Sequence, residues 1–197
     1  MNNPPLPLLV VATNNTHKLD ELRDMLAAHF EVKGMTEVGF TDDIPEDADT
    51  FAGNALIKAR TIAGKLDCAC LADDSGLSCD ALNGAPGVYS ARYAGEPKDD
   101  RANLLKLLND LEHSADKTAR FVTSLAFIRN GLEYVFDGEV QGQIIADPRG
   151  THGFGYDPVF VPDGHAETFA EMTSGQKNAL SHRARAIEKF LVFIEAE

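Results

Sequence analysis

The stretch from Leu6 to Phe30 constrains the fold more than any other part of this chain. Leu6–Ala12 is a compact apolar run of strand length, followed at once by the polar segment Thr13-Asn14-Asn15-Thr16-His17-Lys18. Leu19, Leu22, Leu26 and Phe30 then recur at helical spacing, so the segment reads as strand, polar turn, helix, with Asn15 or Thr16 as N-cap. A second helix is expected over Phe51–Leu66, with Phe51, Ala55, Ile62 and Leu66 on one face and Asp49 or Thr50 as cap. Cys68–Ala72 reads as a buried strand that ends in the turn-like run Asp73-Asp74-Ser75-Gly76. Leu104, Leu105, Leu108 and Leu111 predict a third helix. Arg120–Arg129 and Glu133–Ile145 read as strands joined through Asn130-Gly131, a strong hairpin signal. A short strand is expected over Pro158–Val161 and a last helix over Asn178–Ile194.

Strands alternating with helices and then a long hairpin indicate an α/β fold around a mixed sheet. No repeat, low-complexity tract or linker divides the chain, so residues 1–197 read as a single domain, with residues 1–5 a frayed lead-in. Three cysteines, Cys68, Cys70 and Cys79, are too few and too odd in number for a disulfide framework. They read as buried thiols in a reducing compartment, which makes the cytoplasm the expected location. No apolar run is long enough for a membrane helix. The net charge of −13 argues against a protein that grips polynucleotides, because phosphate neutralisation supplies most of that affinity. A small phosphorylated ligand needs only a local cluster of cations.

Four groups of residues carry candidate chemistry. The Thr13–Lys18 turn sits where open α/β sheets bind ligands, beyond the carboxyl end of a strand and at a helix N-terminus that offers free N–H groups to phosphate. It lacks the glycines of a Walker loop or a dinucleotide fingerprint. Asp73 and Asp74 follow a buried strand, and adjacent carboxylates repel unless a proton or cation relieves them. Mg²⁺ suits such a pair, since it takes one or two carboxylates with waters and substrate phosphates, and Glu46 adds a further oxygen. Gly153-Phe154-Gly155-Tyr156-Asp157-Pro158 sets small residues around an aromatic ring that a flat base can approach. Lys177, His182 and Arg183 gather three cationic side chains near the last helix, and their N–H donors suit a keto oxygen better than an amino group. Each group also has an ordinary reading: a capped helix, a simple turn, a core phenylalanine, a solvated basic patch.

The order of the segments resembles the inosine triphosphate pyrophosphatase family from about Leu8 to the final helix. The matching segments are Ala12–Lys18, Phe51-Ala52-Gly53-Asn54-Ala55, Ala72–Leu77, Gly84–Tyr93, Gly153–Pro158 and Ser181-His182-Arg183. The resemblance implies an elongated α/β fold of two lobes around a central mixed sheet, with the active site in the cleft between the lobes. It implies a homodimer that uses Mg²⁺ to split a nucleoside triphosphate, ITP, dITP or XTP, into monophosphate and pyrophosphate, and so cleans the nucleotide pool. Carried over by position, Asp74 is the catalytic acid–base residue and a metal carboxylate, with Glu46 and Asp73 beside it. Thr13, Asn15, Lys18 and Lys58 hold the phosphates, and Asn14, Thr16 and His17 of the same turn bind substrate with them. Ser75, Phe154, Gly155, Tyr156, Asp157, Lys177, His182 and Arg183 enclose sugar and base. A related pyrophosphatase of the septum-formation-inhibitor type matches less well around Ser181-His182-Arg183.

Overall fold

The computed structural model describes residues 5–196. The lead-in expected over residues 1–5 lies, but for Pro5, outside them. Strand β1, Leu8–Val11, is followed by helix α1, Thr16–Leu26, whose N-cap Asn15 accepts a bond from the Lys18 amide. Leu22 and Leu26 form its buried stripe. Strand β2, Glu31–Gly34, pairs in parallel with β1 and had no clear sequence signal, since its side chains are half exposed and charged. Helix α2, Phe51–Leu66, starts at Thr50, whose hydroxyl accepts from the Gly53 amide, and ends at Asp67 in the left-handed region. Strand β3, Cys70–Cys79, runs parallel to β1. Helix α3, Asp100–Leu111, is capped by Asp99. Strands β4, Thr118–Arg129, and β5, Leu132–Ile144, are linked by Asn130 and Gly131, both at positive φ as a tight hairpin turn requires. Strand β6, Phe160–Pro162, pairs antiparallel with β5. Helices α4, Ser174–Leu180, and α5, His182–Glu195, close the chain.

The result is an α/β protein with a mixed six-stranded sheet in the order β2-β1-β3-β4-β5-β6. Backbone packing divides it into two compact units. The first comprises the chain up to Asp74 together with Ser124–Phe136, and the second Ser75–Thr123 together with Asp137 onward. Each has its own apolar core. Val10, Ala12, Phe40, Ala55, Ile62 and Ala72 belong to that of the first, and Leu77, Leu107, Phe121, Phe160 and Phe169 to that of the second.

Three expectations are corrected. The run Asp73-Asp74-Ser75-Gly76 is not a turn, because β3 continues through it to Cys79. Turn-like composition is overridden by tertiary partners: cations meet the two carboxylates, and Gly76 lets the strand approach Gly87 and Ser90 closely, since a Cβ there would fall 2.5 Å from the Gly87 carbonyl oxygen. Next, the last helix is two helices. Ser181 is extended (ψ 163°), closes α4 through its amide to the Lys177 carbonyl, and caps α5 through its hydroxyl to the Ala184 amide. The stripe of α3 is also rotated: Leu104, Leu107 and Leu111 are buried while Leu105 is exposed. Cys70 and Cys79 are buried thiols, as expected, and Cys68 is half-buried; burial with nearby Asp80 and Asp116 pushes Cys79 up to about 12.

The start of α5 is seated on β5 at Gly138. A Cβ there would overlap the His182 carbonyl oxygen and fall 2.6 Å from the Ala186 nitrogen. Gly138→Ala is therefore expected to cost about 2–3 kcal/mol through overpacking, lowering the thermal midpoint by about 4–12 °C for a chain of this size. An unchanged midpoint in a calorimetric scan would show that strand and helix are not held in contact at this point.

Candidate active site

In the first unit, four elements supply polar side chains. The turn between β1 and α1 is stabilised internally: the Asn15 amide donates to Thr13 Oγ1 (3.1 Å) and Asn15 Oδ1 accepts from the Lys18 amide (3.1 Å). Asn14, Thr16 and His17 are exposed, at a helix N-terminus, whose positive dipole end suits an anion. Lys18 reaches across to β3, where its Nζ lies 2.6 Å from Oδ1 of the fully buried Asp73.

Helix α2 turns Lys58 inward. Its ammonium group has three protons and meets three acceptors: the Asp73 carbonyl (2.7 Å), Asp74 Oδ1 (3.2 Å) and Glu46 Oε2 (3.4 Å). That match explains why a lysine can be 7% exposed. One turn earlier on the same face, Asn54 donates from Nδ2 to Asp74 Oδ2 (3.2 Å).

Three carboxylates, Glu46, Asp73 and Asp74, thus face two ammonium groups, Lys18 and Lys58. Burial is the main influence raising the Asp74 carboxyl above its ordinary range; Lys58 and Lys18 pull it down, while Glu46 and Asp73 push it further up. Burial also acts to raise Glu46, but Lys58, the hydrogen bond with Asp74 and Lys18 together bring it below its usual value. Burial and the neighbouring carboxylates thus disfavour the charged form of Asp74, while the two ammonium groups favour the charged form of Glu46. Three carboxylates against two ammonium groups leave an excess of negative charge that suits a hard dication. Among the described residues no three acidic, histidine or cysteine side chains gather to hold a metal. Mg²⁺ does not require such a cage, since waters and phosphates complete its shell.

In the second unit, the turn around Phe154 is bound by two carboxylates. Asp157 Oδ2 accepts from the Phe154 amide (2.9 Å) and Asp100 Oδ2, at the start of α3, accepts from the Gly155 amide (3.0 Å). Gly153, at φ +73°, leaves room that Asp157 fills. Asp157 pairs with Lys177 Nζ at 2.6 Å, both nearly fully buried, and the same ammonium lies 4.8 Å from the Phe154 ring centre. The Tyr156 hydroxyl donates to the Ser90 carbonyl (2.8 Å), and burial pushes its pKa up. Tyr156, Asp157 and Lys177 thus build the turn. On α5, the His182 ring stacks on Phe121 (4.8 Å, 11°), and Arg183, fully buried, donates to Ser75 Oγ (3.0 Å).

The model of the Ham1 family matches residues 9–193. The chain belongs to the Ham1 family. The motif order thus led to the right group. Among relatives of this Ham1 chain, the dITP/XTP pyrophosphatase of Porphyromonas gingivalis is 47% identical over 187 residues, covering 94% of this chain and 96% of that protein. The dITP/XTP pyrophosphatase of Bacillus subtilis is 46% identical over 191 residues, covering 95% and 96%. A solved structure of a HAM1 protein from Coxiella burnetii superposes with a TM-score of 0.88 at 38% identity, covering 98% of this chain and all of that one.

Three residues of this Ham1 site had no part in the sequence reading. Asn54 was legible as an amide on an apolar helix face, four residues before Lys58. Asp100 and Phe121 carry no local signal, because each acts on a residue more than fifty positions away, Gly155 and His182.

Proposed function

We propose that this Ham1 chain hydrolyses ITP, dITP and XTP to the monophosphate and pyrophosphate with Mg²⁺, and thereby keeps these nucleotides out of nucleic acid. The observation that carries the reading is Asp74: a buried carboxylate held at both oxygens, by Lys58 (3.2 Å) and Asn54 (3.2 Å), with the Glu46 carboxylate on the same ammonium (3.4 Å). The names of the relatives, dITP/XTP pyrophosphatases, support the same substrate class.

Glu46 and Asp74 would hold Mg²⁺, which neutralises charge on phosphate oxygens and acidifies water. The first-turn amides of α1, with Lys18 and Lys58, take the triphosphate. Asp74 then orients the attacking water and accepts its proton, and pyrophosphate leaves in line. Lys58, 3.2 Å from Asp74 Oδ1, stabilises that group as a carboxylate. The second unit's set takes the purine: Phe154 offers its ring face, and His182 and Arg183 offer donors to the 6-keto oxygen.

The direct test incubates the protein and Mg²⁺ with ITP, dITP, XTP, ATP, GTP and dTTP and quantifies pyrophosphate. Release is expected from the first three at rates at least about a hundredfold above ATP, since a site of matched hydrogen bonds rejects a mispaired base strongly. Nucleotide binding without pyrophosphate would mean a sensor, and preference for dTTP the septum-formation-inhibitor type of enzyme; either would sink the proposal.

A further inference from the structure

Asn54 is 1% exposed and sits on the buried face of α2 with Ala55, Lys58, Ala59 and Ile62. An amide in such a place is costly unless both its ends are bonded. Both are: Oδ1 accepts from the Ala48 amide (2.9 Å), and Nδ2 donates to Asp74 Oδ2 (3.2 Å). The Ala48 N–H can only donate, so Oδ1 must face it and Nδ2 must face the carboxylate. The position requires an acceptor at one end and a donor at the other.

Those two partners matter because of what they carry. Ala48 lies two residues after Glu46, whose Oε2 is 3.4 Å from the same Lys58 ammonium that lies 3.2 Å from Asp74 Oδ1. One side chain therefore ties the segment bearing Glu46 to the strand bearing Asp74. Lys58 attracts both carboxylates, but an ammonium is a point charge that sets little direction. The planar amide sets it. We propose that Asn54 is a positioning residue that holds Glu46 and Asp74 in the mutual orientation in which they take one divalent cation. The inference rests on the Mg²⁺ reading above and acts through the two carboxylates.

Mn²⁺ binding to the nucleotide-free full chain, followed by the electron paramagnetic resonance of the free ion, tests it, with dITP turnover measured across a Mg²⁺ series in parallel. In Asn54→Ala the Mn²⁺ dissociation constant is expected to rise about tenfold, as for other partners that orient metal ligands. The half-saturating Mg²⁺ should rise alike, with KM for dITP at saturating Mg²⁺ staying within about twofold. Asn54→Ser, a smaller change, carries the same measurement should the alanine variant be unfolded. A purely structural role would lower the number of binding sites and leave the constant alone; that result, or an unchanged constant in folded protein, overturns the inference. Wild-type protein that takes up no Mn²⁺ overturns this inference and the Mg²⁺ reading together. Weakened Mn²⁺ binding in a chain that releases no pyrophosphate from dITP upholds the role of Asn54 and removes only the hydrolase reading.

Discussion

Asp74→Asn is expected to reduce kcat for dITP by about a thousandfold or more while the protein stays folded. Loss of a proton acceptor alone removes about 10²–10⁴ in rate, and on the proposed reading the same change would also remove one of two carboxylate ligands for Mg²⁺. The fold should tolerate it for a specific reason. Asp74 is destabilised as an anion by burial and by the neighbouring carboxylates Glu46 and Asp73, so a neutral amide relieves repulsion. Against that gain, the amide must turn its NH₂ toward either Lys58 or Asn54, both of which are donors in the native protein. These opposing changes are of similar size, and the thermal midpoint is expected to move by only a few degrees. Pyrophosphate release at saturating Mg²⁺, with calorimetric binding of dITP as the check on the fold and site, decides the matter. Near-wild-type hydrolysis would remove Asp74 from the chemistry.

The reason Asp74 stood out weakly in the sequence is physical. Asp-Asp-Ser-Gly has turn chemistry, and local composition cannot know that Lys18, forty residues or more upstream, meets Asp73. Lys58 was equally opaque: a helix lysine is normally solvated, and this one is buried because acceptors arrive from residues 46, 73 and 74. The strands and helices with clear periods were legible, including α2 at both ends and the Asn130-Gly131 hairpin. The break at Ser181 was not. Leu180, Ala184 and Ile187 keep a helical register across it, so the apolar pattern runs on where the backbone does not. Ser181 ends one helix and caps the next, and this separates Lys177, which supports the Phe154 turn, from His182 and Arg183. The basic cluster read from the sequence is thus two devices with different tasks.

Arg183→Ala is expected to reduce the preference for ITP over ATP by about 10- to 100-fold. Arg183 has no exposed surface, so its guanidinium must use its five donors inside the protein or on a ligand, and Ser75 Oγ takes one of them. A hydrogen bond from a charged donor contributes about 1.5–3 kcal/mol, which is roughly 10- to 100-fold in kcat/KM. On the proposed reading a 6-keto oxygen would receive that bond, whereas a 6-amino group would set donor against donor. The variant therefore loses ITP turnover and regains some tolerance of ATP. It also loses stability, because truncating a buried arginine leaves a cavity and strands its partners. The ratio of kcat/KM for ITP to that for ATP separates the two effects, since any unfolded fraction lowers both rates alike. Arg183→Lys keeps the charge without the planar fork, and is expected to retain less than a tenth of the native ratio. If the ratio survives in Arg183→Ala, the guanidinium holds up Ser75 and the start of α5, and base selection must then come from the Phe154 turn and His182.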